Sequence, residues 1–308
     1  MPMSLAGVAF VFPGQGSQAV GMGQDLYDGW PAARALFEEA DDALGFPLSR
    51  VILNGPEAEL RLTANTQPAI LLVSIAALRA LDLIPAAVAG HSLGEYSALV
   101  AAGALEFRDA VVLVHQRGRY MQDAVPAGRG SMMALIGAEP DAIAEAIATD
   151  GGTVDIANYN APGQIVIAGE REATQRVASR CGARQTVELP VSAPFHCRLM
   201  RPAEERLRAD LARVRFADPR VPVYNNVDAR KVATAAAVRD GLERQVSRPV
   251  RWTELMQRMI ADEAIHTVVE VGPGTVLSGL IRRIDRGVER LAASDRATVA
   301  AARARFAS

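Results

Sequence analysis

Residues 86–103 read AAVAGHSLGEYSALVAAG: an apolar run, a Gly-His-Ser-Leu-Gly turn at 90–94, then a small-residue helix from Glu95. That succession commits the chain to a strand that ends sharply and returns as a helix on its own sheet. This is the context a G-x-S-x-G nucleophile elbow requires. The serine of such a turn, Ser92, is held at strained backbone angles with its hydroxyl lifted off the sheet. Gly90 and Gly94 read as clearing space for an approaching carbonyl. The amide of Leu93 stands at a helix N-terminus, where it can stabilise an oxyanion. The plain alternative is a glycine turn that happens to contain serine.

The chain has 308 residues, half of them apolar, and a formal net charge of −2. It is long enough for one large domain, or a large one with a smaller companion. There is no basic excess of the kind that marks nucleic-acid binding. Cys181 and Cys197 have neither metal nor disulfide spacing. The N-terminus has no positive residue before its apolar run, and Pro13 cuts that run short, so it makes a poor signal peptide. No stretch is expected to approach the roughly 18 apolar residues of a membrane span. A soluble protein of the reducing cytoplasm is expected, with no nucleic-acid or membrane partner.

The run 7–12 (GVAFVF) has buried-strand character, and Pro13-Gly14-Gln15-Gly16-Ser17 breaks it. A loop straight after a parallel strand lies at the carboxyl edge of the sheet, and the flanking glycines let the Gln15 amide face a ligand. Helical periodicity covers 32–43, 68–81 and 108–125. In the last of these, Ala110, Leu113, Val114, Arg117, Met121 and Val125 share one stripe. An arginine on a buried face needs an anion, either a protein carboxylate or a substrate carboxylate held in a bidentate fork.

After a boundary at 126–130 the rhythm changes. Strand-like 131–137, helical 140–149, strand-like 153–157 and 164–168, helical 170–181 and strand-like 184–189 give the order β-α-β-β-α-β of a ferredoxin-like unit. Residues 158–163, including Asn160, are expected to be its central turn. Of the four histidines, His91 is too constrained inside the elbow to reach Ser92, His115 lies on a polar helix face, and His266 precedes a strand. By elimination His196, in the loop 190–197, is the base that can face the serine hydroxyl. Beyond Asp285 the arginine-rich tail reads as helical or frayed and carries no assigned chemistry.

FPGQGSQ at 12–18, GHSLGEYSALVAAG at 90–103, MQDAVPAGRGSMMALIG at 121–137, NAPGQIVIAG at 160–169, LPVSAPFHCRLMRPA at 189–203, VPVYNNVDA at 221–229, PVRW at 249–252 and EVGPG at 270–274 occur in one order along the chain. In all of them it resembles the malonyl-CoA:acyl-carrier-protein transacylases of fatty-acid synthesis. The resemblance implies an α/β fold: an α/β-hydrolase-like core over 1–127 and 191–308, with a ferredoxin-like subdomain inserted at 128–190. It also implies a monomer that acts on malonyl-CoA as substrate and acyl carrier protein as acceptor, without cofactor or metal.

Carried residue by residue, the resemblance makes Ser92 the nucleophile, His196 the base, and the backbone amides of Gln15 and Leu93 the oxyanion hole. Arg117 becomes the partner of the malonyl carboxylate. The backbone carbonyl of Gln245, rather than an acidic third member, orients the histidine. His91, Met121, Asn160 and Phe195 are pocket residues, and Phe195 matches the bulky residue of malonyl-selective relatives, where methylmalonyl users often carry serine. Two readings stay beside this one: an acyltransferase serving a polyketide synthase or malonate decarboxylase, and a serine hydrolase or thioesterase built on the same elbow.

Overall fold

The computed structural model describes residues 3–191 and 193–307; Ser192, in the loop that carries His196, lies outside them. Strand β1 (Met3–Phe12) leads through α1 (Gln24–Gly29), α2 (Pro31–Leu44), α3 (Leu48–Asn54) and α4 (Glu57–Leu60) to α5 (Thr63–Leu81). Strand β2 (Leu83–Gly90) follows, then α6 (Gly94–Ala101) and α7 (Phe107–Asp123). A second unit runs β3 (Gly130–Ile136), α8 (Pro140–Ala148), β4 (Val154–Ala161), β5 (Gln164–Glu170), α9 (Arg171–Arg180) and β6 (Gln185–Glu188). The chain returns through α10 (Arg201–Leu211), β7 (Val223–Tyr224), β8 (Lys231–Val232), α11 (Ala235–Gln245) and α12 (Trp252–Asp262). It ends in β9 (Thr267–Val271), α13 (Val276–Ile284), β10 (Glu289–Ala293) and α14 (Arg296–Ala307).

The result is a mixed α/β fold with two sheets. In the larger, the order is β10-β9-β1-β2-β7-β8, parallel throughout except where β8 runs against β7. The last five residues of β1 and the last four of β2 are buried without interruption, as a parallel strand covered on both faces requires. Both strands deliver their carboxyl ends, Phe12 and Gly90, side by side, so the Gln15 loop and the elbow meet at one sheet edge.

The smaller sheet is antiparallel, in the order β4-β5-β3-β6. Ile143 of α8 and Val177 of α9 pack with Leu135, Val154 and Ile167 of this sheet in a core of their own. The smaller sheet is tied to the segment between α11 and α12 where Tyr159 donates to the Val250 carbonyl at 2.9 Å and Val250 donates to that of Ala157 at 2.8 Å.

Four expectations need correction. The central turn does not span 158–163: β4 continues to Ala161, because its backbone pairs with β5 on one side and with Val250 on the other. Asn160 is therefore a strand residue. Helix α5 begins at Thr63, and Pro68 lies inside it. Proline cannot supply the amide that would bond the Ala64 carbonyl, and His115 Nδ1 takes its place at 2.9 Å.

With its earlier start, α5 has 19 residues and is long and apolar enough to cross a membrane. Most of that length, 78% of its apolar window, is buried inside the protein. The tail is helical in α14, as expected, but a strand precedes it: β10 adds a parallel edge to β9, and Arg303 of α14 reaches the Ala80 carbonyl.

Candidate active site

Ser92 takes a left-handed backbone conformation, φ +52°, as an elbow nucleophile should. Such a conformation costs a non-glycine residue roughly 1–3 kcal/mol, and the surroundings hold it there. His91 donates its amide to the Phe12 carbonyl at 3.0 Å. The Ser92 amide donates to Asn226 Oδ1 at 2.6 Å, and Asn226 Nδ2 donates to the Gly90 carbonyl at 2.7 Å.

The two elbow glycines have a role other than the one expected. A Cβ on Gly90 would collide with the Gly94 backbone, and one on Gly94 with the Phe12 carbonyl. They allow the strand, turn and helix to pack in contact, rather than clearing a path for substrate.

His196 also has positive φ, +59°, which no sequence signal announced. Its Nε2 stands 2.7 Å from Ser92 Oγ, and its Nδ1 stands 2.9 Å from the Gln245 carbonyl oxygen. A carbonyl only accepts, so Nδ1 carries the proton and Nε2 offers its lone pair to the serine hydroxyl. Burial, and then the positive charge of Arg117, push the imidazole down to about 3. The ring is neutral at physiological pH, which is the state a general base needs.

Arg117 is 1% exposed. Its Nη1 donates to Gln67 Oε1 at 2.8 Å; its Nη2 donates to Gln245 Oε1 at 3.0 Å and to Ser92 Oγ at 3.1 Å. Gln67 Nε2 in turn donates to Met121 Sδ at 3.7 Å. The three neutral partners orient the guanidinium but do not neutralise it, and Arg117 Nε has no hydrogen-bond partner among the described residues. Tyr96 adds a ring face at 5.7 Å.

A cavity of about 410 Å³ opens over these groups, lined by Gln15, His91, Ser92, Leu93, Arg117, Met121, Asn160, Phe195 and His196. All the anticipated residues except Gln245 face it. Gln245 is fully buried behind the site and acts on it through His196 and Arg117. Within the lining, His91 Nε2 is fixed to Asn160 Oδ1 at 2.9 Å and its ring packs on Trp252, so it stays away from Ser92.

Two participants were missed. Asn226 stands in the Asn225-Asn226-Val227-Asp228 run after β7, and its place at the carboxyl edge of a strand is a usable signal. Glu95, an acidic residue in the first turn of α6, is 2% exposed. Its Oε2 accepts from the Asn226 amide at 2.9 Å and from Gln245 Nε2 at 2.8 Å.

A serine hydroxyl, a neutral imidazole and a buried cation thus converge on one cavity, the equipment of acyl transfer through a serine ester. The acyl transferase domain family matches residues 9–303. The malonyl CoA-acyl carrier protein transacylase of Salmonella typhimurium is 48% identical over 295 residues, covering 93% of this chain and 94% of that protein. An acyl carrier protein S-malonyltransferase from Vibrio cholerae, solved by crystallography, superposes with a TM-score of 0.93 at 46% identity, covering 96% and 99% of the two chains. A malonyl-transacylase solved in complex with a type II polyketide-synthase acyl-carrier protein gives 0.94 at 43% identity, over 97% and 100%. From the elbow, its histidine partner and these full-length similarities together, the chain belongs to the malonyl-CoA:acyl-carrier-protein transacylase family of acyl transferases.

Proposed function

We propose that this protein carries a malonyl group from malonyl-CoA to the phosphopantetheine thiol of an acyl carrier protein, by a ping-pong route through a malonyl ester of Ser92. His196 Nε2 takes the hydroxyl proton as Ser92 Oγ bonds to the thioester carbon, and the carbonyl electrons move onto oxygen. Collapse breaks the carbon–sulfur bond, and the proton on His196 passes to the departing coenzyme A sulfur. In the second half the carrier thiol gives its proton to His196 and attacks the ester, and Ser92 leaves with the proton restored.

The amides of Gln15 and Leu93 are assigned to the oxyanion; losing one such donor costs about 10²–10³ in rate. Arg117 is assigned to the malonyl carboxylate, the Gln245 carbonyl to the orientation of His196, and His91, Met121, Asn160 and Phe195 to the walls of the acyl pocket. This chemistry uses no cofactor and no metal.

The observation that carries the proposal is the convergence at Ser92 Oγ of His196 Nε2 at 2.7 Å and Arg117 Nη2 at 3.1 Å. A simple esterase has no use for a buried guanidinium at its nucleophile. A substrate that brings its own carboxylate does, since it pairs a charge that the protein leaves without a carboxylate partner among the described residues.

The same reading treats 1–127 and 191–308 as an α/β-hydrolase-like core and 128–190 as an inserted ferredoxin-like subdomain, supported by the strand order β4-β5-β3-β6. It also takes the protein to be a cytoplasmic monomer that needs no membrane. Intact-protein mass spectrometry after brief incubation with malonyl-CoA tests the proposal. A malonyl adduct is expected on the parent and not on Ser92→Ala, discharged by carrier protein. The complex with a polyketide carrier makes fatty-acid and polyketide carriers the two acceptors to compare, with the fatty-acid type expected to be faster. Steady release of coenzyme A to water, with no adduct, would make this protein a hydrolase.

A further inference from the structure

Gln245 meets His196 through its backbone carbonyl, and Arg117 and Ser92 through its side chain. Its Oε1 accepts from Arg117, and its two Nε2 protons go to the Ser92 carbonyl at 3.0 Å and to Glu95 Oε2 at 2.8 Å. A guanidinium only donates and a carboxylate oxygen only accepts, so the amide can lie one way round alone. Glu95 therefore sets the orientation of Gln245. The same carboxylate oxygen takes the amide of Asn226, whose side chain holds the Ser92 amide and the Gly90 carbonyl.

We infer that Glu95 is the positioning residue of this site: through Gln245 it orients Arg117 and the carbonyl that aligns His196, and through Asn226 it holds the nucleophile. The inference rests on the transacylase reading above and deepens it. Glu95 is not among the residues that line the cavity over Ser92. Its carboxyl group lies one carboxamide away from the guanidinium and not against it. That leaves the face of Arg117 toward Ser92 for a substrate anion. A direct Glu95–Arg117 pair would satisfy the cation and compete with malonyl.

The experiment is a double-mutant cycle on the full chain: parent, E95A, Q245A and E95A/Q245A. Single-turnover acylation by malonyl-CoA and by acetyl-CoA is followed by intact mass, with a thermal melt of each protein. E95A is expected to lower kcat/KM for malonyl-CoA about 10–100-fold, the scale of a reacting group held slightly out of place. It should lower acetyl acylation less, because only malonyl uses Arg117. The double variant should lie within about twofold of the slower single, since both substitutions cut the same connection.

Singles whose effects multiply in the double variant, or equal losses with the two donors, would overturn the assignment. If E95A gives no cooperative melt, Glu95→Asp replaces it, keeping the charge while withdrawing the acceptor by a methylene. The same malonyl-weighted loss is expected there, and parental rates would overturn the inference. Failure of the parent to form any malonyl adduct would instead remove the transacylase reading, a result read from the parent alone.

Discussion

Arg117 donates to the nucleophile itself, its Nη2 standing 3.1 Å from Ser92 Oγ. A carboxylate that docks on this guanidinium brings its own acyl carbon to the serine, so recognition and attack share one geometry. An acyl donor without a carboxylate leaves the cation buried and unpaired. Arg117→Ala should therefore lower malonyl kcat/KM about 10²–10³-fold, the usual scale for breaking a buried charged contact, and should spare or raise acetyl transfer. Rates with both acyl-CoA donors decide the matter; undiminished malonyl transfer would show that the carboxylate binds elsewhere.

Phe195 precedes His196 in sequence, is 6% exposed and lines the cavity over Ser92. Room for an extra methyl beside the malonyl α-carbon has to come from a wall of that kind. A pocket discriminates by one methyl to the extent of about 1–3 kcal/mol. Phe195→Ser should thus raise the methylmalonyl-to-malonyl rate ratio about tenfold or more. An unchanged ratio in direct competition would place the steric limit on another wall.

Asn226 gives a contrasting pattern. Its side chain bonds the Ser92 amide at 2.6 Å and the Gly90 carbonyl at 2.7 Å, and meets Gln245, the partner of Arg117, only at a long 3.5 Å. Asn226→Leu should slow acylation about 10–100-fold with malonyl-CoA and acetyl-CoA alike, through a loosened elbow. It should also cost about 1–3 kcal/mol of stability for the polar groups left unsatisfied. A loss confined to malonyl-CoA would mean that Asn226 works on the clamp after all.

The parts legible in the sequence were those that neighbouring residues determine. Ser92 was readable because its strand, turn and helix are contiguous, and Arg117 because the phase of α7 puts it on the same stripe as Leu113, Val114 and Met121. His196 emerged only by excluding three other histidines. What stayed hidden depends on distant partners. Glu95 is buried by contacts 131 and 150 positions away, so its burial has no local signature. The length of β4 depends on pairing with Val250. Pro68 stays helical because His115 satisfies the carbonyl it strands. In each case a tertiary partner overrides the local rule.

Glu95 also predicts a pH dependence of stability. Desolvation raises its carboxyl from the ordinary 4.5 to about 7, against the opposing pull of the Asn226 amide, the Gln245 side chain and the Arg117 charge, while Asp228 adds to the rise. Between those two values the folded protein holds a proton that the unfolded chain has released. Stability falls as pH climbs through this window, because the buried group must then ionise. Glu95→Gln cannot ionise, and since both bonds to Glu95 enter the single oxygen Oε2, one glutamine oxygen can still accept them. The stability of E95Q relative to the parent should thus improve by about 2–3 kcal/mol between pH 5 and pH 8. Urea unfolding of both proteins at the two pH values measures this directly. Every other titrating group is common to the pair and cancels in the difference. A pH-independent difference would mean that Glu95 is already ionised at pH 5, held so by its two donors. The improvement would instead show that the chain keeps a costly carboxylate in place of a stabler amide, as expected of a group retained for function.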